Sequence, residues 1–373
     1  MKVNGRMHYL DYLRVFLTVL VILHHTAIAY GAGGSWIYED VDKSELTISM
    51  IILTIFTAVN QSFFMGLFFF LSGYFIPGAY TRKGPRQFFK DRFIRLGIPL
   101  LVYIFVLGPA ITYFAHFSDS MSLLTYYQRE VLTFNTIHIG PLWFVEALLI
   151  FNILYGLCRS CFLKKSAGRK LPFPNTKKLI LLAVLLGITA FAVRLFYPVG
   201  TGPLGLQFGY FPSYIFLFAA GIMAFHYNWL DDISLIPVKK WLLAAAFTIP
   251  VLPIGLVLTG ALEGNMAFEG GLTLQAFIYA MWEPFVAFGL IITLLNWFHD
   301  KYNKPDTFGI SMSQAAYTVY IIHPAIIVGL SLFFTAFPIH PFIKFLIVGS
   351  IGTILCFASA SLIIKIPYAK RVL

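Results

Sequence analysis

Charge is scarce in this 373-residue sequence: Asp, Glu, Lys and Arg together make up 12% of it, about half the share usual in a soluble domain. So few polar groups cannot cover a water-soluble globule of this length. The 59% of hydrophobic residues and a mean hydropathy of +0.80 point to lipid as the solvent. Cysteine is nearly absent. Cys158, Cys161 and Cys356 are too few for a disulfide framework, and the one CxxC, Cys158 with Cys161, lacks the second pair of a zinc site. The two thiols are read as lying at a helix end, and no metal is expected. No repeat, low-complexity tract or long polar block marks an appended soluble module, so residues 1–373 are expected to form a single membrane-embedded domain.

What the sequence does have is a series of apolar runs long enough to cross ~30 Å of hydrocarbon. Scanned with a window of about 19 residues, it predicts ten membrane helices. They lie near 10–30, 61–79, 97–116, 141–162, 178–197, 211–228, 240–260, 272–297, 313–335 and 341–364. The expected fold class is all-α, a polytopic integral membrane helix bundle. Segment 46–79 is too long for one crossing and marginal for two. Taken as one span preceded by a helical extension or an interfacial segment, it sorts the cations into alternate loops. Residues 82–95, 159–178, 239–240 and 301–304 carry most of the Lys and Arg, while Lys43 and Arg129 share the intervening loops with Glu39, Asp40, Asp42, Glu45, Asp119, Glu130, Glu263 and Glu269. By the positive-inside rule both termini are then cytoplasmic, and the expected location is a cell membrane, the bacterial plasma membrane first.

The net charge of +11 does not indicate nucleic acid, because its cations sit in short loops where anionic headgroups favour them. The lipid bilayer is the partner they fit. Small residues in "AYGAGG" follow the first apolar run as they would at a leader cleavage site, but a leader's apolar core has no use for Arg14, His24 and His25.

Those three residues carry the chemistry of the first span. An Arg or Lys at the centre of a membrane helix costs about 3 kcal/mol and is usually functional. Arg14 lies near the cytoplasmic end, where its stem can lift the charge to the interface; His25 has no such reach. Eleven helical steps of about 100° bring His25 within about 20° of Arg14, about 16 Å further along the same face, whereas His24 points about 100° away. A cation at one end and an imidazole deep on the same face suit an elongated anionic molecule and proton transfer. Adjacent helix positions rarely converge on one ion, which argues against a haem or metal held by His24 and His25.

Further intramembrane groups are candidates for the same site. Glu146 would orient or charge-stabilise His25. Arg194 would pair with Glu146 or Glu283, or reach the interface. Glu283 precedes Pro284 and would take freed backbone amides or line an acceptor route. His323 precedes Pro324, where a hydrogen bond to a freed carbonyl competes with substrate binding. Trp36, Tyr38, Tyr126 and Tyr127 near the outer interface are candidates for stacking on a sugar.

The sequence resembles the acyltransferase 3 family of polytopic membrane acyltransferases, whose signature in the first helix is Arg or Lys, ten residues, then His: here Arg14 and His25. "FFFLSGYF" is similar to the family's Phe, three residues, Ser-Gly element as Phe68, Ser72 and Gly73. "KDRFIRLGIPLLVY" supplies its Arg-x-x-Arg loop as Arg92 and Arg95, and "GPLWFVEALLIF" and "YIIHPAII" look like its fourth-span and late-span elements. The resemblance implies transfer of an acyl group, acetyl first and succinyl second, from a cytoplasmic acyl-coenzyme A to a hydroxyl on an extracytoplasmic or membrane-associated carbohydrate-type acceptor. His25 is then the expected general base, or the carrier of an acyl-histidine intermediate, with Arg14 and Glu146 beside it in catalysis. Arg14, Ser72, Arg92 and Arg95 are expected to bind the donor, since arginine forks suit phosphate oxygens. Close packing is the alternative for Ser72-Gly73. A homo-oligomer stays open. The rival class is a multi-span transporter of an organic anion or lipid-linked substrate, although no pair of inverted halves is visible.

The loop charges generate a topology prediction. A cysteine placed at Ser120 is expected to react with an impermeant thiol reagent added outside cells, and one at Ser166 is not; the reverse labelling would invert the topology.

Overall fold

A computed structural model of the chain describes residues 7–43, 47–161, 171–231, 233, 236–260 and 267–373. Cys161's side chain, Glu45, Glu263 and the stretch of the second basic loop from Lys164 to Lys170 lie outside the described residues. Every long element described is helical, as lipid demands, since a helix satisfies its own backbone hydrogen bonds. Among the described residues nine stretches are long and apolar enough to span: α1 (His8–Ala29), α2 (Ile48–His116), α3 (Gly140–Ser160), α4 (Thr176–Arg194), α5 (Phe208–Tyr227), α6 (Val238–Leu258), α7 (Leu274–Tyr302), α8 (Thr307–Thr335) and α9 (Pro341–Ile363).

Nine rather than ten follows from α2. Its 69 residues would measure about 100 Å, some three hydrocarbon cores. The run breaks at Gly84, whose backbone (φ 72°, ψ 167°) is not helical. Glycine tolerates positive φ, and Pro85 behind it is pre-set for the first turn of a new limb. The expected spans 61–79 and 97–116 lie on opposite sides of this break, and the residues ahead of 61 form a helical extension reaching back to Ile48.

Hydrogen bonds between α1 and α8 fix their relative direction. Arg14 Nη1 donates to Ser313 Oγ at 3.1 Å, His25 Nδ1 lies 3.0 Å from His323 Nε2, and Tyr30 OH, just past α1, donates to Ser331 Oγ at 3.3 Å. The numbers rise together, so the helices run parallel. Two parallel spans need an odd number of crossings between them. One each from α3 to α7 and two from the limbs of α2 make seven, whereas an unbroken α2 would make six.

The chain divides into two compact units. The first comprises Met1–Leu13, Val59–Lys90 and Ile150–Pro305. Within it, α2 and α5 meet backbone to backbone. A Cβ on Gly73 would sit 2.1 Å from the Phe218 carbonyl oxygen, and one on Gly221 would sit 2.1 Å from that of Phe70. The same unit holds Arg194, fully enclosed. Its Nε donates to the Gly209 carbonyl at 3.1 Å, its Nη2 pairs with Glu283, and its guanidinium lies 5.2 Å and 4.8 Å from the ring centres of Tyr210 and Tyr279. Arg194 thus pairs with Glu283 and not with Glu146.

The second unit comprises Arg14–Ala58, Asp91–Leu149 and Asp306–Leu373. Its core joins α1, α8 and α9 through Ile22, Val319, Ile327, Val348 and Phe357, with Ala27, Ala315 and Ala360 letting the backbones approach.

The reciprocal glycine contact gives a stability prediction. Gly73→Ala and Gly221→Ala each push a methyl into a backbone carbonyl that cannot step aside, an overpacking cost of about 3 kcal/mol. Each should lower the thermal midpoint in detergent. Gly255→Ala, whose methyl would find its nearest neighbour at 3.6 Å, should not.

Candidate active site

α1 is helical without interruption from His8 to Ala29, so the shared face of Arg14 and His25 is realised. Arg14 and His25 are both half-buried, while His24 on the neighbouring face is buried at 7% exposure. Each of the two aligned residues is held by α8: Arg14 by Ser313 and His25 by His323. The imidazoles of His25 and His323 lie nearly parallel, 18° apart with centres 5.0 Å apart. The His25 ring also hydrogen-bonds the Val21 carbonyl one turn back, so it has two partners among the described residues, His323 and Val21.

A loop closes over the ring face of His25. Trp36 stacks on the imidazole with centres 4.0 Å apart and planes 20° apart. Gly31 and Gly34 turn the chain with φ of 115° and 111°, values that glycine adopts without cost. The Trp36 amide donates to Glu39 Oε1 at 2.9 Å, and Glu39 pairs with Lys43 at 2.7 Å. The loop is tied down beyond Trp36 as well. Asp40 accepts from Lys344 Nζ at 2.7 Å and from Thr335 Oγ1 at 3.1 Å, its amide donates to the Ala29 carbonyl, and the Ile37 carbonyl lies 2.6 Å from His116 Nε2. Trp36, a candidate for stacking on a sugar, thus has its ring against the imidazole of His25.

Arg14 and the backbone of Arg95 are both attached to α8. Arg92 precedes a wide helical turn, Phe93–Gly97, in the second limb of α2, and Arg95 lies within it. Pro99 has no N–H for the carbonyl four residues earlier, which is Arg95's. Tyr317 OH donates to that carbonyl at 2.7 Å. Tyr317 is one turn beyond Ser313, so Arg14 and Arg95 are attached to α8 at neighbouring positions on one face. Arg95 is exposed, and its Nη2 donates to the Leu373 carbonyl at 2.7 Å. Arg92 is half-buried. Ser72 belongs to the first unit, beside Gly73, where the close approach to α5 accounts for the Ser-Gly pair by packing.

The remaining candidates have different neighbours from those expected. Glu146 makes no hydrogen bond to His25, and its buried Oε2 has no partner among the described residues. The element around it is joined to α8 by Tyr320, which donates to the Pro141 carbonyl and packs its ring 5.7 Å from that of Phe144. Tyr126 is no stacking platform. It is 1% exposed, and its hydroxyl meets His138 Nε2 at 3.1 Å. Burial lowers the His138 pKa below the usual histidine range, against the opposite pull of Glu130, which suits a neutral imidazole in that bond.

An all-helical membrane protein whose half-buried imidazole is aligned with an arginine on one helix face is the class that this fold and site define. The acyltransferase 3 family model, described as an acyltransferase domain, matches residues 7–361. The chain belongs to that family of membrane acyltransferases. It is similar to glucans biosynthesis protein C of Salmonella heidelberg (strain SL476) and of Salmonella typhi, each 29% identical over 202 residues, and to that of Salmonella paratyphi B, 28% identical over the same length. These matches cover 51% of this chain and 49% of each relative, so the matched region spans about half the length of those proteins. No solved structure matches the chain.

The tie between Asp40 and Lys344 is open to a double-mutant test. Both side chains are below a tenth exposed, so Asp40→Ala and Lys344→Ala should each cost about 3 kcal/mol by leaving a buried charge alone. The double variant should cost clearly less than the sum of the two. Additive losses in thermal unfolding would mean that the pair does not hold the loop.

Proposed function

We propose that this protein moves an acyl group, acetyl first and succinyl second, from a cytoplasmic acyl-coenzyme A to a hydroxyl of a carbohydrate-type acceptor. The observation that carries the reading is the half-buried His25: its Nδ1 meets His323 Nε2, and the ring shares a helix face with Arg14. In this reading Nε2 takes the proton of the acceptor hydroxyl as its oxygen attacks the thioester carbonyl. The carbon–sulfur bond then breaks, an ester remains on the acceptor, and the coenzyme leaves as its thiol after receiving a proton. Arg14, Arg92 and Arg95 hold the donor, the last two on its phosphates. Ser72 stands as a donor contact on the family resemblance alone.

The names of the relatives favour a glucan, or a glycan like it, as acceptor. Membership of an acyltransferase family favours group transfer over transport. The charge bias of the loops favours cytoplasmic termini in a bacterial plasma membrane, with the arginines at the end of α1 where coenzyme A is found.

Variants at matched membrane levels test the assignment through donor-dependent acylation of a cell-surface glycan. His25→Ala should lose about 10²–10⁴-fold of activity, the usual share of a general base, and still bind donor. His24→Ala should keep substantial activity. Arg92→Ala and Arg95→Ala should each weaken donor binding by about 1–3 kcal/mol, the scale of a charge-assisted contact. An active His25→Ala would remove the base from the reading; unchanged donor affinity in both arginine variants would remove the phosphate contacts.

A further inference from the structure

Pro324 lies inside α8 and has no N–H. The carbonyl it leaves without a helical partner is four residues back, on Tyr320, and His323 Nδ1 sits 2.7 Å from that oxygen. A carbonyl can only accept, so Nδ1 carries the proton. In a neutral imidazole the other nitrogen is then bare, and that nitrogen, His323 Nε2, faces His25 Nδ1 at 3.0 Å. Two bare nitrogens do not bond. His25 must then donate from Nδ1, which leaves Nε2 as its own bare nitrogen; the Val21 carbonyl, which can only accept, is a second partner of the ring. Trp36, stacked on His25 at 20° and lying at 18° to His323, keeps the rings close to coplanar.

We propose that His323 and Pro324 form a tautomer relay: the proline frees a backbone carbonyl, the carbonyl fixes the proton on His323, and His323 fixes the proton on His25. The relay leaves Nε2 as the one proton-accepting atom of His25. His323 is a positioning residue, fully buried and acting through His25. The catalytic use of the relay rests on His25 being the base; the tautomer itself can be observed without any turnover.

The test uses the full chain in lipid bilayers with 15N-labelled histidine, the His25 signal being assigned by its loss in His25→Ala. The parent should show His25 protonated on Nδ1. His323→Leu removes the acceptor, and Pro324→Ala returns an amide hydrogen to the Tyr320 carbonyl, so both should show a mixture of His25 tautomers. Both should lower kcat by about tenfold or more, with donor KM little changed, as expected when a catalytic imidazole is held in the wrong tautomer. His323→Gln keeps one donor and one acceptor and should recover much of the loss. If His323→Leu fails to fold, Pro324→Ala carries the test, since it removes no polar side chain. A single Nδ1-protonated His25 in both variants would overturn the relay. So would full activity of both variants beside a dead His25→Ala, which would leave the base reading standing. An active His25→Ala beside the expected tautomer mixtures would overturn the catalytic use of the relay together with the base reading, leaving the relay as a structural feature.

Discussion

The hydrogen bond between His323 and His25 is the contact on which the site depends. It joins α1 to α8 at the depth of the His25 imidazole, and it is the middle of three rungs. The outer rungs, Arg14 to Ser313 and Tyr30 to Ser331, keep the helices parallel and in register. A shift of α8 by one residue would turn His323 about 100° from His25. The register thus positions Arg14 and His25 together, and the Arg95 turn follows through Tyr317, one turn from Ser313.

Prolines recur where side chains take over backbone bonds. Pro99 frees the Arg95 carbonyl for Tyr317, and Pro324 frees the Tyr320 carbonyl for His323. In lipid an unpaired carbonyl costs several kcal/mol, so each freed group needs a donor. A polar side chain held for that reason is also held in a fixed orientation, which is what a site requires. The Arg194–Glu283 pair of the first unit is a different case. It is enclosed between two tyrosine rings, and breaking it would strand a charge in the interior.

Much of this was legible in the residues. Span positions follow from apolar length, and the alignment of Arg14 with His25 follows from eleven steps of a regular helix. The His-Pro pair at 323–324 marked a freed carbonyl with a ready donor beside it. The partner of His25 was not legible, because a contact across 298 positions leaves no local periodicity. Glu146 was the reasonable candidate by residue type, since carboxylates commonly orient imidazoles, yet a second histidine occupies the place. Trp36 was assigned to the interface by its position in the chain; the glycine turns at 31 and 34 and the Asp40–Lys344 tie bring it back over the ring. The break at Gly84 falls in the basic loop expected between the spans 61–79 and 97–116; what the residues did not show is that helix runs up to it and resumes directly behind it.

The central claim is that acyl transfer passes through His25. Its most direct test is stoichiometry in proteoliposomes: purified protein, acyl-coenzyme A labelled in the acyl group, and a soluble oligoglucan. One free thiol should appear for each ester formed on the glucan, and the His25→Ala protein should yield neither. Thiol release by the His25→Ala protein at the parent's rate, or passage of glucan across the bilayer without any ester, would contradict the claim.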